Sequence, residues 1–207
     1  IIKAENQSPR KSHLQKILVE SPVPDKLDTL VDLLRSLPDG KAIIFVNYRD
    51  SAERVQTALR KAGIHAGLYH GALEQQEREL AVAMLNNGST PIVVSTDLAS
   101  RGLDIDAVDY VIHYHMPATA ETWTHRNGRT ARQGADGSVY VITSENDTVP
   151  DYVETDRPYV PTGNSSDPIR PHTFTLYFNL GKKEKISRGD IAGFIAKAGG
   201  IAGNAIG

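Results

Sequence analysis

Four short runs of nearly unbroken apolar residues constrain this chain more than any other feature: Ala42–Val46 (AIIFV), Pro91–Ser95 (PIVVS), Tyr110–His113 (YVIH) and Ser138–Thr143 (SVYVIT). A strand with one face in water alternates apolar with polar residues. A run without alternation needs both faces covered, and such strands belong to parallel sheets flanked by helices. Helical windows lie between the runs. Asp25 opens one with apolar positions at Leu27, Leu30, Val31, Leu34 and Leu37, closed by Pro38-Asp39-Gly40. A second runs from about Ser51 to Lys61, with Asp50 and Glu53 spaced like a capping box, and Gly63 ends it. A third covers Glu74 to Asn86 and stops at Asn87-Gly88. His13–Glu20 and Ile64–Tyr69 complete the expected strands. Strand and helix alternate without an internal repeat, which predicts an α/β domain with helices on both faces of a mainly parallel sheet.

In such sheets ligands gather outside the carboxyl ends of the strands. Asn47, Tyr48 and Arg49 follow one strand, His70 and Gly71 the next, Thr96 and Asp97 a third, so one face is built from successive strand ends. A formal charge of −2 argues against a uniformly basic nucleic-acid binder, so any phosphate-binding surface is local. With no cysteine there is no thiolate catalysis and no thiolate metal site, which fits a reducing, cytoplasmic setting. No run reaches membrane-spanning length, and no membrane role is expected. His113 and His115 share a strand face, but without a third ligand at useful spacing they read as a packed pair, and no metal site is expected. Trp123, the one tryptophan, reads as packing beneath the segment that follows it.

That segment, His125 to Gly134, reads HRNGRTARQG, with Arg126, Arg129 and Arg132 three residues apart and so on one face of a helical turn. Guanidiniums so close repel one another unless an anion neutralises them, and each is a planar fork suited to phosphate. Alone, the decapeptide is best read as a solvated basic helix face. A second stretch changes that reading. Thr96 to Asp104 (TDLASRGLD) resembles motif V of the DEAD-box RNA helicases, and His125 to Arg132 resembles their motif VI. Phe45 to Arg49 (FVNYR) is similar to motif IV, and Gln75 to Arg78 (QQER) to the Q-x-x-R signature after it. All four stand in the family's order across roughly residues 20–145. Asn127 departs from the usual aliphatic residue and Ala131 from the usual glycine, the latter mattering if that position needs φ > 0.

The resemblance implies a RecA-like three-layer fold over residues 1–147, the second lobe of an ATP-dependent RNA helicase. It implies that Arg129 and Arg132 are arginine fingers, reaching ATP and its Mg on a partner N-terminal RecA-like lobe. It implies that His125 and Arg126 bridge the lobes, that Asp104 meets the ribose and that Gly102 lets the backbone approach the nucleotide. Asn47, Arg49, Gly71, Arg78 and Thr96 would meet RNA phosphates and sugars, contacts that carry no sequence information, with Arg101 coupling the two sites. On their own, Gly71 and Gly102 read equally well as turn glycines, Thr96 as a strand-end hydroxyl, and Arg78 as an i,i+4 partner of Glu74. Neither G-x-x-x-x-G-K-[ST] nor D-E-A-D occurs in these 207 residues, so this chain alone is expected not to turn over ATP. The alternative is a non-catalytic RNA-binding or adaptor protein that kept the fold.

Residues 148–172, rich in proline, read as a linker or an extended wrapping segment. Phe174–Gly181 (FTLYFNLG) resumes strand character, and Leu176 to Leu180 fits the RNP2 pattern, in which an aromatic such as Tyr177 stacks a base. Lys182, Lys183, Lys185 and Arg188 add local positive charge, and Arg188-Gly189-Asp190-Ile191 opens a helix through Lys197. Residues 173–207 resemble the start of a DbpA-type RNA-binding domain, a partial RRM-like α+β segment. The resemblance implies anchoring to structured RNA, with ribosomal RNA favoured.

Overall fold

The structure, a computed structural model, describes residues 13–97, 105, 107–131, 136–178 and 181–207. It divides into a unit of residues 1–173 and a smaller one of residues 174–207.

In the larger unit the order is β1 (Leu14–Glu20), α1 (Leu27–Ser36), β2 (Ala42–Val46), α2 (Arg49–Lys61), β3 (Gly67–Tyr69), α3 (Gln75–Asn86), β4 (Ile92–Thr96), β5 (Tyr110–His113), α4 (Ala120–Asn127), β6 (Gly137–Thr143) and β7 (Arg157–Pro158). The strands form one sheet in the order β3-β4-β2-β5-β6-β1-β7. Every strand pair is parallel. The unalternating runs occupy its middle, and β2 and β4 are buried at every position. Residues of alternate parity feed two cores. Ile44, Val46, Val94 and Ile112 pack with Leu30, Leu33, Val55 and Leu59 on the side of α1 and α2. Ile43, Phe45, Val93 and Val111 pack with Leu85 and Trp123 on the side of α3 and α4. This is the three-layer RecA-like fold.

Element boundaries differ from the sequence reading in ways that local chemistry explains. Helix α2 begins two residues before Ser51, with Tyr48 at its N-cap and no side-chain cap, so Asp50 sits inside the first turn rather than capping it. At α3 the capping box is real: Glu74 accepts from the backbone of the third helical residue, Glu77, whose side chain returns to Glu74 N–H. Glu74 is therefore engaged at the cap, and Arg78 donates instead to Gln75 Oε1 at 2.9 Å. Helix α4 ends at Asn127, so Arg126 and Arg129 do not share one helical face: Arg126 is in the last turn and Arg129 lies beyond it.

Residues 144–173 wrap the lobe along their length. Tyr152 donates to the Pro117 carbonyl oxygen (2.8 Å), and Val153 is buried in the core under α4. Arg157 and Pro158 extend the sheet beside β1, and Tyr159 packs over the opposite core. The amides of Thr162 and Gly163 both donate to Ser36 Oγ (2.9 and 2.8 Å), and His172 Nε2 pairs with Asp39 at 2.5 Å.

In the smaller unit, helix α5 (Arg188–Gly199) starts at an Ser187–Asp190 capping box and ends in left-handed Gly200. The expected strand is not formed over residues 174–178, where Leu176, Tyr177 and Phe178 are exposed and have no ladder partner among the described residues. A lone strand has no partner for its backbone groups, and the described residues of this unit contain no second one. No helix among the described residues is long and apolar enough to cross a membrane.

Candidate nucleotide and nucleic-acid face

The centre of the site is Arg126. The last turn of α4 aims this side chain inward, under the carboxyl ends of the adjacent strands β4, β2 and β5, where it is fully buried. Its Nε and Nη2 donate to the two carboxylate oxygens of Asp97 at 2.5 and 2.6 Å, a bidentate fork. Nη2 also donates to Asn47 Oδ1 (2.8 Å) and Nη1 to the His115 carbonyl oxygen (2.9 Å), while the guanidinium lies 5.1 Å from the Phe45 ring centroid. One cation therefore ties the ends of three strands to α4. A burial this deep is tolerable for a guanidinium because the carboxylate and the carbonyls replace its water.

Two neutral histidines complete the node. His113 Nε2 lies 2.8 Å from Asn127 Oδ1, an acceptor, so Nε2 carries the proton and Nδ1 turns its lone pair to Arg126 Nη1 at 3.4 Å. Burial, then the neighbouring Arg126 charge, push His113 down to about 3, against the opposing pull of the Asn127 bond. Its ring packs 4.7 Å from that of Trp123. The polar departure at Asn127 thus has a buried partner, where an aliphatic side chain would leave an imidazole N–H unmatched. His115 accepts from the Asn47 amide at Nδ1 (3.2 Å), and burial, then the Lys26 charge, bring it down to about 4. Lys26, itself buried, bridges the Ile142 carbonyl oxygen (3.1 Å) and Asp147 (2.9 Å) at the end of β6. For Asp147, burial works upward, but the bonds from Lys26 and Ser144 outweigh it and hold the carboxyl below the usual range.

The expected nucleotide residues separate in this geometry. Arg126, expected to bridge lobes, is an interior clamp: its nitrogens are engaged within the lobe and it is sealed from solvent, so it has no reach outward. His125 is half-buried, and its Nε2 accepts from Arg129 Nη2 at 2.9 Å. Arg129 is buried in the turn after α4, its backbone carbonyl accepting from Val108 N–H at 3.0 Å. Ala131 has φ = 52°, so the position where the motif usually carries glycine does adopt the left-handed backbone. Arg101, Gly102, Asp104 and Arg132 lie outside the described residues.

Of the expected RNA residues, Asn47 is exposed, but its amide is committed at both ends, to Arg126 and to the Met116 carbonyl oxygen (3.0 Å). Arg49 is exposed, with Nε 3.4 Å from Asp50 and 3.7 Å from Glu53. Thr96 is buried at the end of β4, and Gly71 is exposed with open space where a Cβ would stand. Two buried nitrogens of the β3–α3 segment, His70 Nδ1 and Arg78 Nε, have no hydrogen-bond partner, and they flank Gly71 in sequence. Tyr177, Lys183, Lys185 and Arg188 are exposed in the smaller unit, Lys185 in left-handed backbone at φ = 61°, and the Lys182 side chain lies outside the description. Asp97 and Asn127, which the sequence marks only as a strand-end acid and a polar departure from the motif, prove to be the partners of Arg126 and His113.

Two families match the chain: the helicase conserved C-terminal domain over residues 25–134, and the DbpA RNA binding domain over residues 175–207. An ATP-dependent RNA helicase, dbp3, of Sclerotinia sclerotiorum is 38% identical over 139 residues, 65% of this chain and 23% of that protein. The DEAD-box ATP-dependent RNA helicase CshB of Bacillus subtilis is 35% identical over 135 residues, 64% of this chain and 31% of that one. The chain spans under a third of the length of these curated relatives. Among solved structures, the E. coli DEAD-box protein SrmB, bound to regulator of ribonuclease activity A, superposes with a TM-score of 0.66 at 30% identity over 82% of this chain and 100% of that one. The C-terminal domain of the DEAD-box protein Dbp5 gives 0.61 at 25% identity over 72% and 91%. Fold, motif order and both matches agree: this chain belongs to the helicase conserved C-terminal domain family, as a DEAD-box second RecA-like lobe followed by DbpA-type RNA-binding sequence.

Proposed function

We propose that this chain works as the second lobe of an ATP-dependent RNA helicase. Residues 1–147 are the catalytic lobe, 148–172 the connecting strap and 173–207 an RNA-anchoring tail. The observation that carries this reading is the Arg126 clamp. It joins the strand ends bearing Asn47 and Asp97 to the helix that leads into Arg129, so the RNA side and the ATP side of the face hang on one guanidinium. Arg129 and Arg132 then serve as fingers for ATP and Mg held mainly by an N-terminal RecA-like lobe. A finger stabilises the charge that develops on the transferred phosphoryl oxygens. In the described lobe Arg129 rests on His125, and the imidazole must be neutral to accept that bond. Replacing it by phosphate exchanges a neutral acceptor for a charged one, which favours the engaged state. Gly102 and Asp104 would contact the nucleotide, and Arg101 would link it to RNA.

On the RNA side, Arg49, Gly71, Arg78 and Thr96 line the strand-end pole. The unpartnered nitrogens of His70 and Arg78 support a polar ligand there, because buried polar atoms rarely go unmatched. The tail, with Tyr177 and the cluster Lys182, Lys183, Lys185 and Arg188, anchors structured RNA, with ribosomal RNA favoured, in a cytoplasmic setting. The test is RNA-stimulated ATPase in the complete protein. Arg129→Ala or Arg132→Ala should lower turnover by on the order of 10³-fold while RNA affinity persists. Near wild-type turnover in both would move the finger elsewhere and favour a solvated basic face at these arginines, whereas no RNA-stimulated turnover by the unaltered complete protein would favour the non-catalytic adaptor.

A further inference from the structure

Among the described residues of the lobe, one aromatic side chain stands in the open. Phe45, Tyr69, Tyr114, Trp123 and Tyr140 are buried, whereas Tyr48 is 69% exposed. A lone exposed aromatic carries no information by itself. Its position does: Tyr48 follows β2, the strand between β4 and β5, at the pole where the motif residues converge.

The ring is also rigidly mounted. On its N-terminal side, Asn47 is held three times over, by its amide to His115 Nδ1 (3.2 Å), by Nδ2 to the Met116 carbonyl oxygen (3.0 Å) and by Oδ1 to Arg126 (2.8 Å). On its C-terminal side, the Tyr48 carbonyl oxygen accepts from Ala52 N–H (3.1 Å) and opens α2, with Tyr48 itself extended at φ = −128° and ψ = 148°. Two side-chain torsions remain, so ordering this ring against a ligand loses little entropy. His115 presents a second ring, edge-on, 6.3 Å from that of Tyr48. Burial keeps that imidazole uncharged near neutral pH, which leaves an aromatic surface rather than a cation. Beside it, Arg49 is tied to Asp50 and Glu53 only by long contacts of 3.4 and 3.7 Å at exposed side chains, which a phosphate can displace.

We propose that Tyr48 is a stacking platform for an unpaired base of single-stranded RNA, so that this lobe holds one base as well as the backbone. The proposal rests on the RNA reading above and departs from it in one respect: a lobe expected to touch only sugar and phosphate has a built surface for a base face. Stacking is tolerant of base identity because every base has a π-face. Tyr48 therefore adds affinity for unpaired over paired strands rather than for a sequence.

The experiment uses the 207-residue chain with Tyr48→Trp, whose new emission is exposed, while that of Trp123 comes from the buried core. A single-stranded oligoribonucleotide should quench the exposed emission, and a ribose-phosphate chain of equal length without bases should not. In parallel, anisotropy of labelled RNA should show Tyr48→Ala binding the base-bearing strand about tenfold more weakly and the abasic one unchanged, with Tyr48→Phe close to wild type. RNA that binds by anisotropy without quenching, or equal losses on both strands, overturns the stacking proposal and leaves the RNA reading standing. No RNA binding by the unaltered chain overturns both.

Discussion

Replacing Arg126 by alanine tests the central claim about the site, that this arginine is a structural clamp and not an outward-reaching contact. The substitution removes both prongs to Asp97, the bonds to Asn47 and the His115 carbonyl, and the contact over Phe45. Breaking a buried ion pair from one side costs about 3–5 kcal/mol, because the remaining charge is left without compensation. Here the two partners differ: the Arg126 side chain is 0% exposed and that of Asp97 is 31% exposed. Water can reach the abandoned carboxylate in part, so the low end, about 3 kcal/mol, is expected. At roughly 2–4 °C per kcal/mol for a domain of this size, the thermal midpoint should fall by about 6–12 °C. Arg126→Lys keeps the charge but loses the fork that serves Asp97 and Asn47 together, and should lie roughly midway. Arg49→Ala, an exposed control, should cost under about 0.5 kcal/mol. The assay is a thermal scan by circular dichroism with a urea titration of the same variants. A shift below about 2 °C for Arg126→Ala would refute the clamp.

Two further outcomes follow from the same neighbourhood. His113, held near pKa 3 when folded against about 6.5 when unfolded, refuses a proton that the unfolded chain accepts. Stability should therefore fall as pH drops below 6.5, by about 2 kcal/mol from this residue at pH 5, and a urea midpoint equal at pH 7 and pH 5 would contradict it. Ala131→Gly should stabilise the lobe by roughly 0.5 kcal/mol, because φ = 52° penalises a Cβ by more than glycine loses in unfolded-state entropy; a loss of stability in the same titration would show the position does not need φ > 0.

Much of the fold was legible because burial on two faces leaves a mark in composition. The runs at Ala42–Val46 and Tyr110–His113 reappear as strands with unchanged limits. What escaped was decided by partners remote in sequence. β7 is two residues long and exists because Lys16 and Leu18 offer backbone groups to Asp156 and Tyr159. The stretch Phe174–Phe178 carries strand composition but no ladder partner among the described residues, and so no strand. Tyr48 at the α2 N-cap defeated the expected capping box, since cap position depends on where the buried strand lets the chain turn.

The three arginines show where spacing stops being informative. Their period of three suggests equivalent side chains on one surface, and charge alone offers no way to rank them. Rank comes from two facts outside the motif. Asp97, 29 residues upstream, lies at the end of the neighbouring strand, where its carboxylate can match one guanidinium. Helix α4 then ends at Asn127, which rotates the next arginine out of register with the first. Arg126 is an interior member because its position faces Asp97. Arg129 is set beyond the helix end, against an imidazole rather than in the fork of Asp97, and can serve the opposite purpose. A motif that concentrates positive charge for a phosphate thus needs one of its own charges neutralised internally. Otherwise the repulsion among guanidiniums and the cost of holding them in a partly buried turn would work against the arrangement the chemistry requires.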